Sequence, residues 1–256
     1  MRIFVLLKST LDTEERVQVV DGKVVYDEGK MIMNPYDEYA IEEALIQKSK
    51  HGGEVTVVTV GHEGAKTQLR TALAMGADHA VLIEAKEVEE VDAHSTATLL
   101  AAYLADKKAD LIIGGNMTVD GGTGQVGPRL AEQLGLQQAT AIIALTIDKG
   151  MVTVVRDVEG DEVTLVSELP ILVTAQQGLN EPRYPTLPGI MKAKKKMIEE
   201  ITLDDLLLDI EVVEARTKTH LQYTPTPKEK GKVLKGETKD QVSQLVKLLG
   251  NLVKQV

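Results

Sequence analysis

Residues 111–136 read LIIGGNMTVDGGTGQVGPRLAEQLGL, an order that predicts a strand, a glycine loop and a helix. Leu111, Ile112 and Ile113 form the apolar run, Gly114, Gly115, Gly121, Gly122 and Gly124 crowd the loop, and the helical pattern ends at Gly135. A helix starting behind such a loop leaves N–H groups unpaired in its first turn. Together with the helix dipole, these favour an anion such as phosphate at the carboxyl edge of a sheet. Glycine suits the loop because a side chain would hold the backbone away from a ligand and disfavour positive φ. No Lys-Ser or Lys-Thr follows the glycines and the spacing is not GxGxxG, so this is neither a Walker A loop nor the dinucleotide fingerprint. A glycine-rich turn that only joins two elements is the other reading of these residues.

Working back from this unit, strands and helices alternate. Residues 3–7 predict a short strand, 8–15 a polar segment, and 17–20 with 23–26 a hairpin turning at Asp21-Gly22. Asn34-Pro35 reads as an N-cap followed by proline at the first helical position, with Asp37 and Glu38 in the first turn. That helix buries Ile41, Ala44 and Leu45, runs to about Lys50 and stops at Gly52. A β-branched strand over 54–60 follows, then a helix after Gly64 with Leu69, Ala72 and Leu73 on one face. Residues 79–83 predict a strand, 95–107 a helix and 110–113 a strand. The alternation predicts an α/β fold with a mostly parallel, doubly wound sheet whose ligands lie at the carboxyl ends of the strands. The loops ending there are 8–12, 33–37, 61–64 and 115–125.

Beyond Gly135 the pattern becomes extended. Residues 139–147, 151–158 and 161–169, joined by Asp148-Lys149-Gly150 and Glu159-Gly160, predict an antiparallel meander added to the sheet. One more buried strand is expected at 171–174, then a proline-rich loop over 178–189 and the basic run Lys192, Lys194, Lys195 and Lys196. Residues 1–200 are thus expected to form a nucleotide-binding α/β domain and residues 201–256 a C-terminal arm. In that arm 223–231 has linker composition, and Thr238 with Gln241 reads as a capping box. The helix behind them carries Val242, Leu245, Val246 and Leu249 as an apolar stripe, which needs either its own domain or another subunit to dock on.

Composition removes several function classes. In 256 residues, a formal net charge of -10 opposes nucleic acid as partner, and zero cysteines exclude disulfides and thiolate metal sites. Only 3% of residues are aromatic, too few for a base-stacking platform. The start, MRIFVLLKS, meets polar residues too early for a signal peptide or a membrane span, so a cytoplasmic protein is expected. The five histidines are scattered without ligand spacing, no GxSxG elbow is present, and the acidic pairs Glu199-Glu200 and Asp204-Asp205 read as surface charge. A nucleotide pocket without catalytic residues suggests binding rather than turnover.

Four further runs are more specific. GLNEPRYPTLPGIMKAKKK at 178–196 resembles the recognition loop of the β subunit of electron transfer flavoproteins. VVRDVEGDEVTLVSELPILVTA at 154–175, Met33-Asn34-Pro35 and RTALAMGAD at 70–78 are also similar to that family. The resemblance spans residues 2 to about 196. It implies a heterodimer whose α subunit holds most of a redox-active FAD, while this β subunit binds AMP and supplies a wall of the flavin site. The family's AMP contacts carry over onto Leu6, Asn34, Pro35, Tyr36, Asp37, Val60, Gly115, Asn116, Met117, Thr118, Val119, Asp120, Gly121, Gly122 and Thr123, with Gly124 and Gln125 beside them. The loop that docks acyl-CoA and related dehydrogenases, in fatty acid oxidation, carries over onto Glu181, Pro182, Arg183, Tyr184, Leu187, Pro188, Ile190 and Met191, with Leu187 as the apolar anchor. Prolines 182, 185 and 188 would stiffen that loop. The C-terminal arm would embrace the α subunit.

By this resemblance the chain is an electron carrier subunit rather than an enzyme, passing electrons on to a quinone oxidoreductase without entering the membrane itself. One departure bears on the pocket: many AMP-binding members have a longer acidic stretch after Asp120, whereas here Gly121-Gly122-Thr123-Gly124 follows. That form leaves space for FAD in place of AMP, as in electron-bifurcating members. An ATP-using enzyme of the adenine nucleotide α-hydrolase-like fold would need SGGxDS after the first strand, where Lys8-Ser9-Thr10-Leu11-Asp12 stands. A nucleotide sensor of the universal stress type would explain neither the loop at 178 nor the arm.

Overall fold

The computed structural model describes residues 1–14, 17–25, 30–228 and 230–253. Glu15 and Tyr26, where the expected polar segment and the second hairpin arm end, lie outside the described residues. By contacts the chain divides into two compact units, Met1–Gln222 and Tyr223–Val256.

The first unit opens with β1 (Arg2–Leu6), β2 (Ser9–Leu11), β3 (Gln18–Val20), β4 (Lys23–Val25) and β5 (Met31–Met33). Then come α1 (Pro35–His51), β6 (Glu54–Gly61), a 3-10 turn, α2 (Lys66–Met75), β7 (His79–Glu84), α3 (Ala93–Leu104), β8 (Leu111–Gly115) and α4 (Val126–Leu134). β9 (Gln137–Asp148), β10 (Met151–Val158), β11 (Asp161–Glu168) and β12 (Ile171–Ala175) follow, before α5 (Leu187–Ala193), β13 (Glu199–Ile201) and α6 (Ile210–Val213). The second unit contains α7 (Thr238–Val253).

Nine strands form one sheet in the order β11-β10-β9-β12-β8-β1-β6-β7-β13. β1 pairs in parallel with both β6 and β8, so the winding reverses between β1 and β8. Side chains alternate across the central strands. Ile3, Val5, Val57, Leu111 and Ile113 meet Ile41, Ala44, Leu69 and Ala72 of α1 and α2, while Phe4, Leu6, Val58 and Ile112 meet Leu99, Leu100 and Leu130 of α3 and α4. Both faces are therefore buried, as runs of Val, Ile and Leu in parallel strands require. Each fully buried aliphatic side chain contributes roughly 1.5–3 kcal/mol. The mostly parallel doubly wound sheet is as expected, and the meander β9-β10-β11 is antiparallel within itself and joins the sheet through β9, parallel to β12.

Several details differ from the sequence reading. The polar segment after β1 contains β2, which pairs antiparallel with β5. The proline-rich loop gives way at Leu187 to a short helix capped by Thr186, whose hydroxyl accepts from the Gly189 N–H. Glu199 and Glu200, read as surface charge, are exposed, but with Ile201 they also form an unexpected edge strand parallel to β7. In the second unit Thr238 is already helical, and Gln241 Nε2 donates to the Gly236 carbonyl at 2.8 Å instead of closing a capping box. No helix among the described residues is long and apolar enough to cross a membrane.

Candidate functional site

At the switch point β1 ends in Leu6 and β8 in Gly114-Gly115, and the two ends are joined from below by the first turn of α1. Pro35 opens α1, which places Asp37 under both strand ends. Its Oδ2 accepts the Lys8 N–H at 2.7 Å, and its Oδ1 accepts the Gly115 N–H at 3.0 Å and Asn34 Nδ2 at 2.9 Å. Asn34, expected to cap the helix, makes no side-chain cap. Its amide is spent on the glycine loop, with Nδ2 donating to the Met117 carbonyl at 2.9 Å and Oδ1 accepting the Val119 N–H at 3.2 Å. An unpaired buried polar group is costly, so this fully bonded cluster fixes where the loop leaves the sheet.

Burial pushes the Asp37 carboxyl up to about 7, against the hydrogen bonds from Lys8, Asn34 and Gly115 that lower it. Because the native pKa lies above the ordinary value of 3.8, the folded state holds the proton more tightly. Asp37 therefore lowers stability progressively as pH rises between those two values, by up to a few kcal/mol. Asp37→Asn, whose amide does not titrate, is expected to flatten that part of the stability profile. Melting temperatures of both proteins from pH 4 to 8 check it, and parallel profiles would refute the assignment.

Above the cluster the loop is tied at its outer end. Lys8 Nζ pairs with Asp120 at 2.8 Å, and the Gly121 and Gly122 N–H groups turn back onto Thr118. Although burial works the other way, Lys8 and Thr118 hold the Asp120 carboxyl below its usual range. The backbone N–H groups of Thr123, Gly124, Gln125, Val126 and Gly127 make no hydrogen bond among the described residues. They sit at the start of α4 and line a cleft of about 1140 Å³. Five free amides at a helix N-terminus are the anion-binding arrangement that the glycine loop predicts.

Leu6, Asp37, Val60, Gly115, Asn116, Met117, Thr118, Val119, Asp120, Gly121, Thr123, Gly124 and Gln125 all line this cleft. Asn34 lies fully buried beneath it, Pro35 and Tyr36 stand in the first turn of α1 behind Gly115, and Gly122 is exposed at φ 64°. The sequence reading missed the opposite wall. Asp92 receives the His94 and Ser95 N–H groups on Oδ1, capping α3, and the Arg216 and Thr217 N–H groups on Oδ2. Thr217 thereby faces the cleft, as does Gln222, which is held instead by the Gly22 carbonyl and the Val24 N–H. A lone Asp before a helix signals the cap, but nothing local signals a partner 125 residues away.

The residues read as a recognition loop lie elsewhere, 181–184 on the segment joining β12 to α5 and 187–191 in α5 itself. Tyr184, Leu187 and Met191 are 92%, 79% and 60% exposed. The base of the segment is fastened to α1: Arg183 Nε and a terminal nitrogen reach Glu42 at 2.7 Å, and Asn180 Nδ2 reaches the Tyr39 carbonyl at 3.0 Å. The basic run behind it is only partly solvated, since Lys196 Nζ donates to the Ala77 and Asp78 carbonyls. Near β13, Glu63, Glu84 and Glu200 bring carboxylates within 4.8 Å of one another. Lys66 bridges Glu63 and Glu200, and Lys86 pairs with Glu84, so ammonium groups already meet that charge.

A mostly parallel, doubly wound sheet with a glycine loop and free amides beside an open cleft at its switch point defines the class as an α/β protein. Residues 22–206 match the model of the electron transfer flavoprotein domain. The chain is 54% identical over 250 residues to the electron transfer flavoprotein subunit beta of Bacillus subtilis, covering 97% of each chain. It is 36% identical to that of Thermoanaerobacterium thermosaccharolyticum over 98% of each, and 34% identical to that of Bos taurus over 98% of this chain and 99% of the other. The chain belongs to the electron transfer flavoprotein family, as a β subunit.

Proposed function

We propose that this chain is the β half of a heterodimeric electron carrier of the cytoplasm, in which AMP is a structural ligand of the cleft and FAD is held mainly by the α subunit. The free amides of residues 123–127 carry this reading, because they offer a phosphate-sized anion several donors at once. Leu6 and Val60 give the same cleft an apolar wall for an adenine. AMP adds no redox chemistry, and FAD, when bound, supplies the electron storage. This chain does no bond-making chemistry. It closes one side of the flavin site, presents the loop 178–191 to acyl-CoA and related dehydrogenases, and lets the reduced complex meet a quinone oxidoreductase. The arm beyond residue 201 docks on the α subunit, with Val242, Leu245, Val246 and Leu249, all exposed, as its apolar contact.

A second reading rests on the size of the cleft, which at about 1140 Å³ lies just above the usual range of small-molecule sites. FAD could fill it in place of AMP, as in an electron-bifurcating complex. Extracting the nucleotides from the purified heterodimer decides between them. One AMP and one FAD per complex is the expected result, two FAD and no AMP establishes the second reading, and neither nucleotide in this cleft overturns both.

A further inference from the structure

The bulge in β9 has no part in the function proposed so far, and it points at the cleft. Thr140 and Ala141 together face the single residue Thr174 of β12, because Val173 is opposite Ala139 and Ala175 is opposite Ile142. Ala141 is held at φ 55°, in the left-handed region that a non-glycine residue rarely adopts. Such outliers persist only where surrounding contacts hold them. Here Arg156 of β10 does so, donating to the Thr140 carbonyl at 2.6 Å and to the Thr140 hydroxyl at 2.7 Å.

The consequence falls on Thr174, which is 1% exposed. The displaced Ala141 N–H donates to its hydroxyl oxygen at 3.0 Å, and the hydroxyl donates onward to Asn116 Oδ1 at 3.0 Å. Asn116 lines the cleft, and its backbone N–H is fixed to the Ala175 carbonyl at 2.9 Å. With its oxygen turned to Thr174, the amide keeps Nδ2 as a donor that meets no acceptor among the described residues. Gly124 passes close over the same residue, its missing Cβ lying 3.1 Å from the Asn116 carbonyl. Gly127 closes over the other end of the pair, its missing Cβ 2.8 Å from Thr174 Cγ2, so the Thr174–Asn116 pair lies against the segment 123–127 whose backbone donors are free.

We infer that Asn116 donates its side-chain amide to the phosphate of the bound nucleotide, and that Thr174, set by the Ala141 bulge and Arg156, is the positioning residue that turns the amide that way. This rests on the reading of the cleft as a nucleotide site and names one of its phosphate donors. A Val at 174 keeps the shape but loses the hydroxyl, whereas Ser keeps it.

The test uses the heterodimer stripped of AMP and titrated calorimetrically with AMP and, separately, with adenosine. Thr174→Val and Asn116→Ala are each expected to weaken AMP roughly tenfold or more, the effect of losing a hydrogen bond to a charged group, while leaving adenosine binding unchanged. Thr174→Ser should restore AMP binding, and the double variant Thr174→Val with Asn116→Ala should bind AMP no worse than either single one. Asn116→Ala reads the same donor should the buried Val fail to fold. The inference is overturned if Thr174→Val weakens AMP and adenosine equally, if Ser does not rescue, or if the two substitutions add in full. A wild-type complex that takes up neither AMP nor FAD in the cleft sinks the underlying function instead.

Discussion

Gly115→Ala is expected to melt well below the wild type and to lose the nucleotide of the cleft. A Cβ at this position would lie 2.3 Å from Asp37 Oδ1, 2.7 Å from Tyr36 Cβ and 3.0 Å from the Tyr36 carbonyl carbon. None of these can move cheaply: Asp37 is held by three donors, and Tyr36 belongs to the first turn of α1. The strain would be relieved by pushing β8 from α1, which breaks the Gly115 N–H bond to Asp37 and shifts the loop that carries the free amides. Overpacking of this kind, with Asp37 left to two of its three donors, costs up to about 3 kcal/mol and so roughly 6–12 °C in melting temperature for a unit of this size. Gly122→Ala separates sterics from backbone freedom, since Gly122 sits at φ 64° with nothing within 4 Å of its missing Cβ. That variant should lose only about 1 kcal/mol and retain most of its AMP. Differential scanning calorimetry with nucleotide extraction measures both, and a Gly115→Ala protein that melts like the wild type with AMP in place would refute the arrangement of the switch point.

Such junctions are readable in sequence only in part. The strand, glycine loop and helix of 111–136 are legible because they are local, each set by neighbours within a few residues. The loops at the carboxyl edge follow from winding rules, so Lys8, Asp37 and Gly115 fall in candidate segments before any contact is known. Their function in one another's company is not legible: Asn34 reads as a cap by position, yet its amide is committed to a loop 83 residues on. α5 was hidden because prolines at 182, 185 and 188 read as a loop, although proline is welcome in the first helical turn that Thr186 caps. Glu199–Ile201 carries too little β-branched or apolar sequence to declare a strand, and takes its conformation from the open edge of β7. The bulge at Ala141 is the extreme case, an alanine in an alternating strand whose conformation is set by Arg156 and Thr174 on two other strands.

Leu187→Ala is expected to raise the concentration of carrier that a dehydrogenase needs by roughly 30-fold while leaving flavin content and melting temperature unchanged. The side chain is 79% exposed at the first position of α5 and supports nothing in its own fold, so truncation should cost the free protein no more than about 0.5 kcal/mol. The segment beneath it is rigid for reasons independent of Leu187. Arg183 is held by Glu42, Asn180 by Tyr39, and Gly189 lies so close to α2 that an added Cβ would sit 2.3 Å from the Ala74 carbonyl oxygen. A leucine presented on such a base loses little entropy on docking, so its burial in a partner pocket is worth about 2 kcal/mol, the scale of an interface hot spot. Steady-state transfer from an acyl-CoA dehydrogenase, measured against carrier concentration, reads the change directly. Arg183→Ala provides the contrast, because it strands the largely buried Glu42 carboxylate without its partner and should lower stability together with docking. If Leu187→Ala instead sheds flavin, the exposed helix turn is part of the cofactor enclosure and the dehydrogenase must bind another face.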